Sequence, residues 1–131
     1  MIVVDSTVWI DYFNGEVNMR TDWLDAALGT EPIIVGDLIL TEVLQGFQSD
    51  KDFRIAKQLL LEFPFMNMLG RELALKSALN YKSLRKKGVT VRKTIDVMIG
   101  TFCIENNFSL LHNDKDFNPL EKHLKLKVMK V

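Results

Sequence analysis

The chain has 131 residues, 47% of them apolar, with 17 Lys and Arg against 17 Asp and Glu, two His and a single Cys. Such a length corresponds to one domain of about 100–150 residues, able to enclose its own core. Cys103 alone cannot form an internal disulfide or a thiolate zinc site, and two histidines are too few for most imidazole clusters, so disulfide scaffolds and zinc fingers are excluded.

Ile2-Val3-Val4 is a β-branched run that stops at Asp5, the pattern of a strand buried on both faces. Ser6 or Thr7 can cap a helix through Val8–Phe13, which Asn14-Gly15 ends. A second helix is expected over about residues 17–28, closed by Gly29. Pro32-Ile33-Ile34-Val35 reads as the next strand, after which Asp37 can cap a helix carrying Leu38, Glu42 and Gln45 as far as Gly46. Residues 50–62 read as helix, Pro64 breaks the pattern, and Phe65–Met68 is a weak strand. A long helix over about 71–87 would turn Ala74, Ala78, Tyr81 and Leu84 inward, and Gly88 ends it. Thr94 can cap a helix with Ile95, Ile99, Phe102 and Cys103 inward, stopped by Asn106-Asn107. Phe108–Leu111 and the alternating Leu126–Val131 complete the strands, the last at an edge. Strands alternating with helices predict an α/β fold of three layers, α/β/α, around a mostly parallel sheet of about five strands.

No run approaches the ~18 uninterrupted apolar residues of a membrane span. The amino terminus has neither the basic segment nor the cleavage site of a signal peptide, so a soluble cytoplasmic domain with no membrane partner is expected. The zero net charge conceals a division. Residues 1–70 carry 11 acidic and 4 basic side chains, whereas residues 71–131 carry 6 acidic and 13 basic. A uniformly basic nucleic-acid binder is excluded; an acidic zone beside a basic rim is not.

Open parallel sheets bind ligands at the carboxyl ends of their strands. Asp5 directly follows the first strand and Asp114 follows Phe108–Leu111 by a short bend. Glu42 interrupts the apolar stretch Leu38–Leu44, and Asp96 lies in the first turn of an otherwise apolar helix, where the helix dipole favours an acid. Alone, Asp5 and Asp114 are explained as cap or turn residues, Asp96 as a dipole partner and Glu42 as a side chain angled to solvent. Together they are four acids, remote in sequence, each breaking an apolar context at the edge of an element. Gathered into one place, they would repel one another unless cations neutralised them. Oxygen ligands without Cys or His suit a hard divalent ion, Mg²⁺ or Mn²⁺, which can activate water for attack on a phosphodiester.

These residues match a known pattern. Ile2–Tyr12, Thr41–Gly46, Arg92–Gly100 and Leu110–Phe117 resemble, in order, the four motifs of PIN-domain ribonucleases, specifically the VapC-type toxins of toxin–antitoxin pairs, and the likeness spans essentially all of residues 1–131. The resemblance implies a single PIN domain with Asp5, Glu42, Asp96 and Asp114 as catalytic, metal-binding acids, and Asp116 as a possible further ligand. Ser6 or Thr7 would bond Asp5 or a bound water. It further implies cleavage of tRNA or rRNA to 5′-phosphate and 3′-hydroxyl ends, inhibition of translation, neutralisation by a VapB-type antitoxin, and a homodimer. Gly100 stands where many relatives carry Ala; a small residue serves either way.

Arg85, Lys86, Lys87, Arg92 and Lys93 precede the Asp96 helix and, with Lys115, offer a basic rim that could draw in RNA; solvated helix ends explain them equally. His112 is assigned a structural hydrogen bond, His123 nothing, and Cys103 the core. Trp9, Tyr12 and Phe13 pack by default, with part of that surface available as an interface. Two alternatives to the nuclease are a catalytically silent RNA-binding or interaction module of the same fold, and a phosphotransfer domain of receiver or haloacid-dehalogenase type. The last would need Asp-x-Asp after the first strand, where Thr7 stands, or paired acids and a middle-strand Asp that this chain does not supply.

Overall fold

The computed structural model describes residues 1–131. Its five strands are β1 (Ile2–Val4), β2 (Ile33–Gly36), β3 (Phe65–Met66), β4 (Ser109–Leu111) and β5 (Lys127–Val128). They form one sheet in the order β3-β2-β1-β4-β5, with every pair parallel. The helices are α1 (Ser6–Phe13), α2 (Met19–Ala27), α3 (Asp37–Gln45), α4 (Asp50–Leu60), α5 (Gly70–Lys86), α6 (Thr94–Asn106) and α7 (Asn118–Leu124), with a 3₁₀ turn at Lys115–Phe117. The predicted α/β architecture is the one observed.

The sheet is built outward from β1. The chain moves from β1 to β2 and β3 on one side, then returns through α5 and α6 to place β4 on the other side of β1. That reversal opens a crevice at the carboxyl ends of β1 and β4, the usual ligand position in such sheets. The two ends are tied directly, because the Asp5 N–H donates to the Leu111 carbonyl at 2.8 Å. Val3, Val4, Ile33, Ile34, Val35, Leu110 and Leu111 are buried, consistent with helices on both faces.

Several caps differ from expectation. The α1 cap is Asp5, not Ser6 or Thr7: Asp5 has extended backbone and its carboxylate accepts the Thr7 N–H. Both hydroxyls are thereby released for other bonds. Gly36, not Asp37, holds the α3 cap position, while Asp37 Oδ1 accepts the N–H of Leu38 at 2.9 Å and of Met68 at 2.8 Å. Asp37 therefore fastens the start of α3 to the chain leaving the edge strand. At α6 the cap position is Lys93, with no side-chain cap bond from Thr94.

The α5 helix is rotated from the expected orientation. Ser77 and Leu84 are buried, and Ala74, Ala78, Leu75 and Leu79 are exposed. Leu84 packs into the core as expected, Asn80 Nδ2 donates to Thr101 Oγ1 on α6 at 2.9 Å, and Lys76 pairs with Glu105 at 3.0 Å at the exposed edge of that contact. An apolar stripe alone does not foresee a packed face that mixes Leu84 with Ser77 and Asn80. By contrast α6 is buried around most of its circumference, Asp96 included.

Both short edge strands are shorter than their sequence patterns, and α7 was not anticipated, although Pro119 in its first turn is a recognised start signal. Trp9 is fully buried, stacked on Phe13 with ring centroids 5.9 Å apart and edge-on to Phe63 at 5.6 Å. The early aromatic residues are thus chiefly core.

Candidate metal centre

Four elements deliver the acids. Asp5 ends β1, Glu42 projects from α3, Asp96 lies in the first turn of α6, and Asp114 caps the 3₁₀ turn after β4. Carboxylate oxygens of Asp96, Asp114 and Asp116 lie within 4.8 Å of one another. Asp5 and Glu42 stand outside that mutual set but act on it electrostatically, since both raise the Asp96 pKa.

A hydrogen-bond framework positions these groups. The Thr7 hydroxyl donates to Asp5 Oδ2 at 2.7 Å and accepts the Asn113 N–H at 3.1 Å. Ser6 donates its hydroxyl to Glu42 Oε1 at 3.0 Å, joining α1 to α3. Asp114 Oδ1 accepts the Asp116 N–H at 2.9 Å, and the Asp114 N–H in turn donates to His112 Nδ1 at 3.1 Å. His112 thus takes the structural role expected of it. Burial and the Arg20 charge lower its pKa, so it carries its proton on Nε2 while Nδ1 accepts. Neither Thr7's bridging role nor Asn113 was legible in the sequence, because both depend on β1 and β4 ending side by side.

Negative charge is crowded here. Burial, then Asp5, push the Asp96 carboxyl up to about 7 from 3.8. Burial likewise raises Asp5, with Asp114 adding to it, and raises Glu42. Burial also works to raise Asp114, but the Asp116 N–H and the Lys93 ammonium outweigh it and hold its pKa below the ordinary carboxylate value. Lys93 Nζ lies 2.9 Å from Asp114 Oδ2 and 4.0 Å from Asp96 Oδ2, and Arg92 pairs with Asp116 at 3.1 Å. Two of the residues expected on a basic rim therefore face the acids themselves.

Two buried carboxylate oxygens, Asp5 Oδ1 and Asp96 Oδ2, have no hydrogen-bond partner. A buried acceptor without a donor is costly, and a cation is the partner that meets several such oxygens at once. The donor set is all oxygen, as hard divalent ions require, with neither thiolate nor imidazole pointing elsewhere. The residues present therefore fit a divalent metal.

A three-layer α/β/α domain with an acidic cluster at the switch point of its parallel sheet is the class that the fold and site define. Residues 2–122 match the family model described as PIN domain, and the chain belongs to that family. It is 25% identical over 124 residues to Ribonuclease VapC11 of Mycobacterium tuberculosis, covering 93% of this chain and 92% of that protein. The fold is shared with FitAcB from Neisseria gonorrhoeae, with a TM-score of 0.78 and 15% identity over 99% of this chain and 97% of that one. VapBC2 from Rickettsia felis, solved bound to a DNA fragment from its promoter, gives a TM-score of 0.77 at 14% identity, covering 98% of both chains.

Proposed function

We propose that this chain is a Mg²⁺- or Mn²⁺-dependent endoribonuclease of VapC type, the toxin of a pair whose VapB-type antitoxin neutralises it. The observation that carries the reading is the cluster of Asp96, Asp114 and Asp116, with Asp5 and Glu42 near enough to raise the Asp96 pKa and with Asp5 Oδ1 and Asp96 Oδ2 buried without a hydrogen-bond donor. Its PIN-family membership and its 25% identity to a protein named a ribonuclease supply the reaction class. VapBC assemblies among its structural relatives supply the partner type.

Asp96, Asp114 and Asp116 would hold the ion, with Asp5 and Glu42 completing its acidic surroundings. When bound, the ion supplies Lewis-acid activation of water and offsets the charge that develops on the phosphate. The protein's own share is orientation. Thr7 fixes Asp5, Ser6 fixes Glu42, and His112 and the Asp116 N–H fix Asp114. In-line attack by water on phosphorus breaks the bond to the 3′ oxygen, leaving a 3′-hydroxyl and a 5′-phosphate. No side chain needs to act as nucleophile. The same reading carries a homodimer, and tRNA or rRNA as the RNA.

The test is cleavage of RNA by purified protein with Mg²⁺ or Mn²⁺, with chelator, and with Asp5→Asn or Asp96→Asn. Cleavage is expected only with metal and intact acids. Undiminished cleavage in chelator and in both variants overturns the reading. Growth arrest on expression, relieved by co-expressing the neighbouring open reading frame, tests the toxin assignment separately.

A further inference from the structure

Beside the acidic cluster, on the far side of Asp116, lies an open cavity of about 490 Å³ between the chain entering α6 and the start of α7. Arg92, Lys115, Lys122, His123, Asn118 and Asp116 provide its polar lining. Three full positive charges thus face one acid, and that acid already belongs to the cluster. Arg92 uses only Nη2 on Asp116, donating to its two oxygens at 3.1 and 3.5 Å. Its remaining N–H donors make no bond within the protein, so it can keep Asp116 neutralised while presenting donors to the cavity.

The lining contains no Phe, Tyr or Trp, so base stacking is not what it offers. It offers cationic and amide donors, the chemistry that meets phosphate oxygens. We propose that this cavity is a phosphate-binding subsite, gripping the RNA backbone at phosphates next to the one cleaved, with Lys115, Lys122 and His123 as its main ligands. The proposal rests on the ribonuclease reading of the neighbouring acids and deepens it. A strand crossing a cluster of carboxylates is repelled by them, and a cationic cavity sharing Asp116 with that cluster is placed to counter the repulsion. An acidic protein segment would meet the same cations and the same neighbouring carboxylates; the RNA backbone is favoured because the adjoining acids are read as the site that cuts it.

The experiment is fluorescence anisotropy of a labelled single-stranded RNA with the full chain in EDTA, across a salt series. Lys115→Ala/Lys122→Ala is compared with wild type and with Lys51→Ala/Lys57→Ala, a charge-matched pair of exposed positions on α4. The cavity pair is expected to weaken binding about tenfold or more at low salt and to flatten the slope of log Kd against log salt by about 1.4, the value for two lost phosphate contacts. His123→Ala alone is expected to weaken binding with an unchanged circular-dichroism spectrum. In steady-state cleavage with Mn²⁺, the cavity pair is expected to raise KM and leave kcat within about twofold. Equal affinity of the two double variants, or no RNA binding by wild type, overturns the subsite. So does stronger, equally variant-sensitive binding of polyglutamate than of RNA. Metal-dependent cleavage with an unaffected cavity pair would sink the subsite alone; absence of cleavage under every condition would sink the ribonuclease reading beneath it.

Discussion

The Thr7 hydroxyl donates to Asp5 Oδ2 at 2.7 Å while accepting the Asn113 N–H at 3.1 Å, so one side chain joins the ends of β1 and β4. Thr7 is both the orienting group of Asp5 and a clamp across the switch point of the sheet.

Thr7→Val removes that donor and acceptor while nearly preserving shape. The expected cost is about 1–3 kcal/mol of stability, from a stranded Asn113 N–H and a weakened Asp5. RNA cleavage should fall at least tenfold. Thr7→Ser should restore most of both, and chemical denaturation with cleavage kinetics checks the pair. Equal behaviour of the Val and Ser variants would refute the clamp.

Lys93 Nζ neutralises Asp114 from 2.9 Å, and that bond raises the Lys93 pKa. A divalent ion must displace or share this ammonium. Lys93→Met is therefore expected to tighten Mn²⁺ binding by up to about fivefold, the scale of an exposed ion pair. Calorimetric titration measures it, and weaker binding in the variant would show that Lys93 helps the ion instead of competing with it.

Acid crowding sets a pH dependence. Asp96 keeps its proton up to about pH 7 in the native protein but releases it near 3.8 when unfolded. Between those values the native state binds more protons, so metal-free stability falls as pH rises and is flat on either side. Asp5 and Glu42, also raised, act in the same direction. Thermal melts in EDTA should give a higher Tm at about pH 5 than at about pH 7.5. Asp96→Asn should flatten the difference, and added Mn²⁺ should reverse it. A Tm that climbs with pH in EDTA would contradict this account of Asp96.

Two glycines serve packing. A Cβ on Gly36 would lie 2.2 Å from Met68 Sδ and 2.3 Å from its Cγ, and Met68 is fully buried. Gly36→Ala is expected to cost about 1–3 kcal/mol through overpacking. A Cβ on Gly100 would strike only one terminal methyl of Leu120, at 2.2 Å, with the next atom at 3.6 Å. Alanine also gains helix propensity there, of about 1 kcal/mol, so Gly100→Ala should lie within about 1 kcal/mol of wild type. Urea denaturation of both variants checks the ranking.

Much of this molecule is legible in one dimension. Ile2-Val3-Val4 and Ile33-Ile34-Val35 announce strands buried on both faces, because a β-branched run without alternation has no face for solvent. Asp5, Glu42, Asp96 and Asp114 stood out because each is an acid in an apolar context, and ordered motifs placed them in a family. Of their oxygens' neighbours, only a hydroxyl of Ser6 or Thr7 on Asp5 was legible, and Thr7 supplies it. Asp5 as cap, Thr7 as bridge, Ser6 as the Glu42 donor and Lys93 against Asp114 are contacts across 2 to 106 residues of chain, set by which strands end together.

The orientation of α5 shows the same limit from the other side: Ala74, Ala78 and Tyr81 form a plausible apolar stripe, yet Ser77 and Leu84 are the buried residues and Asn80 bonds Thr101 on α6. His123 and Lys122 carried no signal at all until α7 folded them beside Asp116. Local chemistry, then, marked most of the elements and the acids that the fold brings near one another, since burial pattern and residue type act over a few positions. Which charges meet, and which cavity the basic residues line, was decided by the parallel sheet, whose crossovers bring remote segments to one edge.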